Sequence, residues 1–143
     1  MASVKEQIEI PAPADAVWQI VRDFGAIDDY VPPITSACLS GEGLGAERTL
    51  TLADGGEVTE RLTGRDEADR TLRYTLVEGP LPVKNYEGRL SVDSIDASSC
   101  AVTWASTFDV VDPPEEAIAA TFSELYAAGL AGLKQRCIPR SAQ

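Results

Sequence analysis

The sequence predicts an α+β fold: seven antiparallel strands in one curved sheet, covered on a single side by a long C-terminal helix, with two short helices after the first strand. Three observations carry this expectation. Seven stretches read as strands, and apolar and polar residues alternate with period two in all of them but the one near 34–41. Six of the seven, between residues 34 and 111, follow one another through turns with no helical segment between them. Helical spacing then takes over after Pro113 and Pro114.

The first strand, residues 3–10, alternates Val4, Ile8 and Ile10 against Lys5, Gln7 and Glu9, and Pro11 and Pro13 end it. A helix opens at Pro13 or Asp15, carries Val17, Trp18, Ile20, Val21 and Phe24 at helical spacing, and stops at Gly25. Only a short turn of helix fits into AIDDYVPP. Glycines 41, 43 and 45 mark a hairpin between strands near 34–41 and 46–53, and DGG turns the chain into a strand near 57–67. After the charged RDEADR turn come strands near 71–78, 84–95 and 99–111, the first two separated by GPLP. Asp112 with the two prolines initiates the last helix, where Glu115 and Glu116 suit the positive end of the dipole. Its expected apolar stripe is Ile118, Phe122, Leu125, Gly129 and Leu133, and its many small residues leave room beside it.

The chain has 143 residues, which fits one domain spanning 1–143 and large enough for a sizeable core or an internal cavity. Twelve basic residues against 23 acidic ones give a net charge of -11, which repels phosphate backbones and anionic headgroups, so neither nucleic acid nor a membrane is expected as a partner. No apolar run approaches the roughly 18 residues of a membrane span, and MASVKEQIEI lacks the features of a signal peptide, so a cytoplasmic location is expected. Three widely spaced cysteines form no CxxC pair and predict neither a disulfide framework nor a zinc site. With no histidine in the chain, Ser-His-Asp, Cys-His and His-metal chemistry are excluded and no metal site is expected. The GEGLGAE stretch joins two strands and opens no helix, so it reads as a hairpin and not as a phosphate loop.

Chemistry concentrates in RTLTLADGGEVTERL, residues 48–62. Period two puts Arg48 on the face of Leu50 and Leu52, and Glu60 on the face of Val58 and Leu62, the faces that ought to be buried. With a tight turn at Asp54 and Gly55, the two charges come opposite or diagonal to each other, within reach of a salt bridge. Two readings stand side by side. The pair is a buried structural one, or it lines a cavity and positions a polar ligand group, with Glu60 available to exchange a proton. Tyr74 and Tyr86 lie on inward faces of neighbouring strands, as core or as ligand contacts. Ser36, Ser106 and Thr121 read as small inward-facing polar groups, and Cys38 and Trp104 as core or cavity wall. Leu50, Leu52, Val58, Leu76, Leu125 and Gly129 are expected to complete that wall, with ADGG and GPLPVK flanking its entrance.

The element order, the stretch IEIPAPADAVWQIVRDF, the motif GEGLGAERTLTL and the final LAGLKQR together resemble the START-related helix-grip superfamily, and within it the polyketide cyclase/dehydrase-like group of SRPBCC proteins. The resemblance covers essentially the whole chain. It implies an apolar cavity between the curved sheet and the long helix, and binding of an apolar or aromatic small molecule of polyketide or lipid type. It also allows cofactor-free cyclisation or dehydration of that molecule, with Glu60 accepting a proton alpha to a carbonyl and Arg48 or the Tyr86 hydroxyl stabilising the enolate. The alternative is a non-catalytic carrier using the same groups for recognition. No cofactor is expected on either reading, and the oligomeric state is left open.

A narrower likeness, over residues 34–112, runs through ITSAC, TERL, YTLVEG, NYEGRLSV and DVVD to plant abscisic-acid receptors. Ser36 stands where those receptors carry a carboxylate-binding Lys. Their gating loop is cut down to ADGG, and GPLPVK replaces their histidine-containing latch. The related norcoclaurine synthases have a Glu matching Glu60, but their catalytic Lys falls at Leu72.

Overall fold

The computed structural model describes residues 2–31, 34–53, 55–79, 83–111 and 115–137. Seven strands form one sheet in the order β1-β7-β6-β5-β4-β3-β2: β1 Ala2–Ile10, β2 Ile34–Ser40, β3 Glu47–Leu52, β4 Glu57–Asp66, β5 Thr71–Glu78, β6 Val83–Asp96 and β7 Ser99–Val110. Every pairing is antiparallel. Helix α1, Ala14–Val21, packs on β6 and β7, and helix α2, Glu115–Cys137, packs on β1 and β7. The register shifts within β2, β4 and β6, each of which bends its strand, curve the sheet around α2. This is the helix-grip arrangement expected from the sequence. The initiating Asp112, Pro113 and Pro114 lie outside the described residues, as do Asp54 and residues 80–82 of the two turns expected at the cavity entrance.

The segment after β1 differs from expectation. Helix α1 stops at Val21, four residues before Gly25, because Asp23 leaves helical geometry with φ -81 and ψ 95. Its carboxylate accepts a hydrogen bond from the Gly25 amide and so caps a 3-10 helix, Phe24–Asp29, which is the short turn of helix expected here, begun two residues earlier. That 3-10 helix packs against β2 and β3. The consequence for the site is that the Phe24 ring and carbonyl are carried inward over Arg48.

Helix α2 also turns a different stripe inward. Phe122, Tyr126, Gly129, Leu130 and Leu133 are buried, while Ile118 and Leu125 are half-buried. Gly129 is no source of empty space: a Cβ there would stand 2.6 Å from the Trp104 ring, so the glycine admits the indole against the helix backbone. Gly88 on β6 does the same for β5. It pairs with Tyr74, and a Cβ would stand 2.2 Å from that ring. Two glycines therefore let the largest side chains of the inner face lie flat against backbone, where a methyl group would force them out. We expect Gly88→Ala to cost about 1–3 kcal/mol by overpacking. The fall in urea midpoint at unchanged slope measures it; a midpoint equal to the parent's would mean that Tyr74 has room to move.

Candidate functional site

The β3–β4 hairpin pairs Arg48 directly with Glu60 and Leu50 with Val58. Both charged residues are buried, Arg48 at 1% and Glu60 at 8% exposure. The guanidinium Nε donates to Glu60 Oε1 at 2.9 Å, and Nη2 lies 2.8 Å from the same oxygen without the alignment of a hydrogen bond. Nη1 donates to the Phe24 carbonyl at 2.9 Å. The guanidinium carbon sits 3.9 Å from the Phe24 ring centroid and 5.0 Å from that of Tyr74, so two aromatic faces replace water around the charge. Burial pushes the Glu60 carboxyl above the usual carboxylate range, and the charge of Arg48 opposes the rise.

In front of the pair lies a cavity of about 540 Å³ between the sheet and α2, partly open to solvent. Strands β3 and β4 contribute Leu50, Leu52, Val58 and Glu60 to its wall, the centre of the sheet contributes Tyr74, Tyr86 and Trp104, and α2 contributes Thr121, Phe122, Leu125 and Tyr126. Ile27 and Ile34 close it from the other side. The volume and the apolar lining with few polar groups are those of a small-molecule site.

The indole and the three phenols of the wall form one hydrogen-bonded chain that ends at Ser106. Trp104 Nε1 donates to the Tyr74 hydroxyl at 2.9 Å, the Tyr74 and Tyr86 hydroxyls are 3.3 Å apart, Tyr86 and Tyr126 share a hydrogen bond, and Tyr126 donates to Ser106 Oγ at 2.8 Å. The ends set its direction. An indole N–H only donates, and the Tyr126 proton is committed to Ser106, so Tyr86 donates to Tyr126 and Tyr74 to Tyr86. The indole stacks on the Tyr126 ring at 4.3 Å, which holds α2 in register with β7. Burial pushes the Tyr126 phenol up to about 12 and those of Tyr74 and Tyr86 well above their usual value, so all three stay neutral.

A family model described as polyketide cyclase / dehydrase and lipid transport matches residues 1–137. The chain belongs to this family. Abscisic acid receptor PYL10 of Arabidopsis thaliana is 33% identical over 111 residues, covering 74% of this chain and 61% of the receptor. PYL7 of the same plant is 31% identical over 112 residues, with 74% of this chain and 52% of that receptor covered, so the match spans between half and two thirds of these relatives. Among solved structures, the protein XoxI of Bacillus cereus superposes with a TM-score of 0.90 at 30% identity, over 96% of both chains. Each is a protein that this polyketide cyclase/dehydrase family member is similar to.

The structure brings Leu50, Leu52, Val58, Glu60, Tyr74, Tyr86, Trp104, Thr121 and Leu125 to the cavity wall of this family member, although Thr121 is exposed and not inward-facing as expected. It places others elsewhere. Arg48 lies behind Glu60, and Ser106 behind Tyr126 as its acceptor. Leu76 lines a neighbouring depression with Val83 and the far side of Tyr86, and Gly129 is filled by Trp104. The inward placement of Ser36 and Cys38 is corrected: both are exposed. The register shift between Ile34 and Ser36 inserts a bulge, so Ala37, opposite Leu50, takes the inner face half-buried, while Leu39, on the same side opposite Arg48, is exposed. Tyr126 was missed, although its position four residues after Phe122 and four before Leu130 was the available signal. Among the described residues no cluster of acidic or cysteine side chains could hold a metal ion, and no helix is long and apolar enough to cross a membrane.

The Arg48–Glu60 pair has a pH signature. A carboxyl whose folded pKa is raised keeps its proton in the native state while the unfolded chain has lost it, so stability falls as pH climbs from the ordinary carboxylate value through the folded one. Removing the arginine removes the opposing charge and widens that window upward. We expect Arg48→Met to cost about 3 kcal/mol near neutral pH and distinctly less at pH well below the ordinary carboxylate pKa, where Glu60 is protonated in both states. Denaturation curves across pH test this; a deficit independent of pH would mean that Glu60 does not depend on Arg48.

Proposed function

We propose that the protein binds an apolar or aromatic small molecule, polyketide- or lipid-like, in the cavity between sheet and α2, and acts on it as a carrier or binding protein. The single observation that carries this reading is a cavity of about 540 Å³ with apolar walls and one buried ion pair at its inner end. Apolar walls supply affinity and the few polar groups supply orientation. Family membership, and a relative named as an abscisic acid receptor, support binding as the common activity.

Cofactor-free cyclisation or dehydration is the second reading, and Glu60 favours it. Both contacts from Arg48 fall on Oε1, and burial brings the carboxyl nearer to neutrality, as a general base requires. The tyrosine chain weighs against it. An enolate needs hydrogen-bond donors aimed at its oxygen, and the phenolic protons of the wall are committed to one another. Arg48 acts on either reading through Glu60, as a positioning residue.

Native mass spectrometry of the protein purified from its own host identifies a retained ligand, and the double variant Arg48→Met/Glu60→Gln separates the readings. It removes base and charge together without stranding either partner. We expect ligand affinity to change by less than about tenfold and the ligand to emerge chemically unchanged from parent and variant alike. Turnover by the parent that falls by about two to four orders of magnitude in the double variant would replace the carrier with an enzyme.

A further inference from the structure

We infer that the cavity selects an uncharged ligand that presents a hydroxyl group to the tyrosine wall, and rejects a carboxylate or a bare carbonyl on the same skeleton. This rests on the binding reading above and names the ligand class for the same cavity. The reason is a shortage of donors. Among the described residues, the hydroxyls that line the cavity belong to Tyr74, Tyr86, Tyr126 and Thr121. Thr121 donates to the Ala117 carbonyl at 2.9 Å, and the three phenols hand their protons along the chain to Ser106. The Trp104 N–H is spent on Tyr74. What each phenol oxygen keeps is a lone pair, because it accepts one bond from its predecessor and has capacity for a second.

The charges point the same way. Among the described residues, the charged side chains in the wall are Glu60 and Glu124, both acceptors when ionised, and no lysine or arginine lines it. Arg48 is turned to Glu60 and the Phe24 carbonyl. A ligand carboxylate would meet only lone pairs and a second carboxylate, and a ketone would exchange its hydrogen bonds with water for none. A ligand hydroxyl supplies the one thing that the wall lacks. Its proton has acceptors in the phenol oxygens and in Glu60.

Naphthalene derivatives that differ in one substituent test this, with affinities read by calorimetry at neutral pH. For the parent protein we expect 2-naphthol to bind about three- to tenfold more tightly than 2-methoxynaphthalene, which cannot donate, and at least about a hundredfold more tightly than 2-naphthoate. The near-isosteric Ser106→Ala removes the acceptor of the Tyr126 proton and frees that proton for the cavity. In this variant, once its unfolding midpoint shows it to be folded, the affinity of 2-acetylnaphthalene should rise about three- to tenfold relative to that of 2-naphthol. Naphthoate binding as tightly as naphthol, or an unchanged ketone-to-naphthol ratio in Ser106→Ala, would overturn the ligand class and leave the cavity a binding site. Failure of all four naphthalenes to bind would overturn the binding reading itself, and the ligand class with it.

Discussion

A guanidinium keeps its charge at any pH a protein meets, so burying Arg48 obliges the rest of the fold to solvate it. Glu60 stands opposite because the hairpin register places it there, the Phe24 carbonyl arrives because Asp23 breaks α1 and starts a 3-10 helix, and the Phe24 and Tyr74 rings cover the two faces. The position of the 3-10 helix, the β3–β4 register and the orientation of Tyr74 are thus conditions of one ion pair. A pair of this kind adds little net stability over apolar residues of the same shape. Its effect is to hold a carboxylate at one defined place in an apolar wall.

The same need for partners organises the other half of the cavity. Three phenols, an indole and a serine satisfy one another across β5, β6, β7 and α2, in a single direction set by a donor at one end and an acceptor at the other. Gly88 and Gly129 make the chain possible by letting Tyr74 and Trp104 lie against backbone. Packing that is tight behind the aromatic layer leaves the space in front of it open. The result, on this half of the cavity, is an aromatic wall whose phenols stay neutral and offer acceptors.

Much of this was legible in the sequence, and the limits have physical causes. Period two sufficed to turn Arg48 and Glu60 inward and to place Tyr74 and Tyr86 on one face, because β3 to β6 keep their alternation through these residues. It failed for Ser36 and Cys38, where one extra residue near Thr35 inverts the phase and leaves no compositional mark. In α2 the small residues blurred the stripe: Leu125 and Tyr126 are adjacent, and only the stacking partner Trp104 decides which of them turns fully inward. The small residues of the pattern suggest empty space, whereas Gly129 accommodates an indole. The direction of the hydrogen-bond chain depends on distances between four elements that no sequence pattern encodes.

The chain belongs to a family described as polyketide cyclase / dehydrase and lipid transport and is similar to an abscisic acid receptor; on the binding reading proposed above, the wall itself narrows what can be bound. A receptor wall that captures a carboxylate needs a cation at the surface of its cavity, and here the cation is sealed behind Glu60. A catalytic wall that stabilises an enolate needs free donors, and here the hydroxyl protons run between neighbours. Neutron diffraction from a deuterium-exchanged crystal tests this central claim most directly. The account predicts deuterium on the Tyr126 hydroxyl pointing to Ser106, on Tyr86 pointing to Tyr126 and on Tyr74 pointing to Tyr86; a phenolic deuterium aimed into the cavity would contradict it.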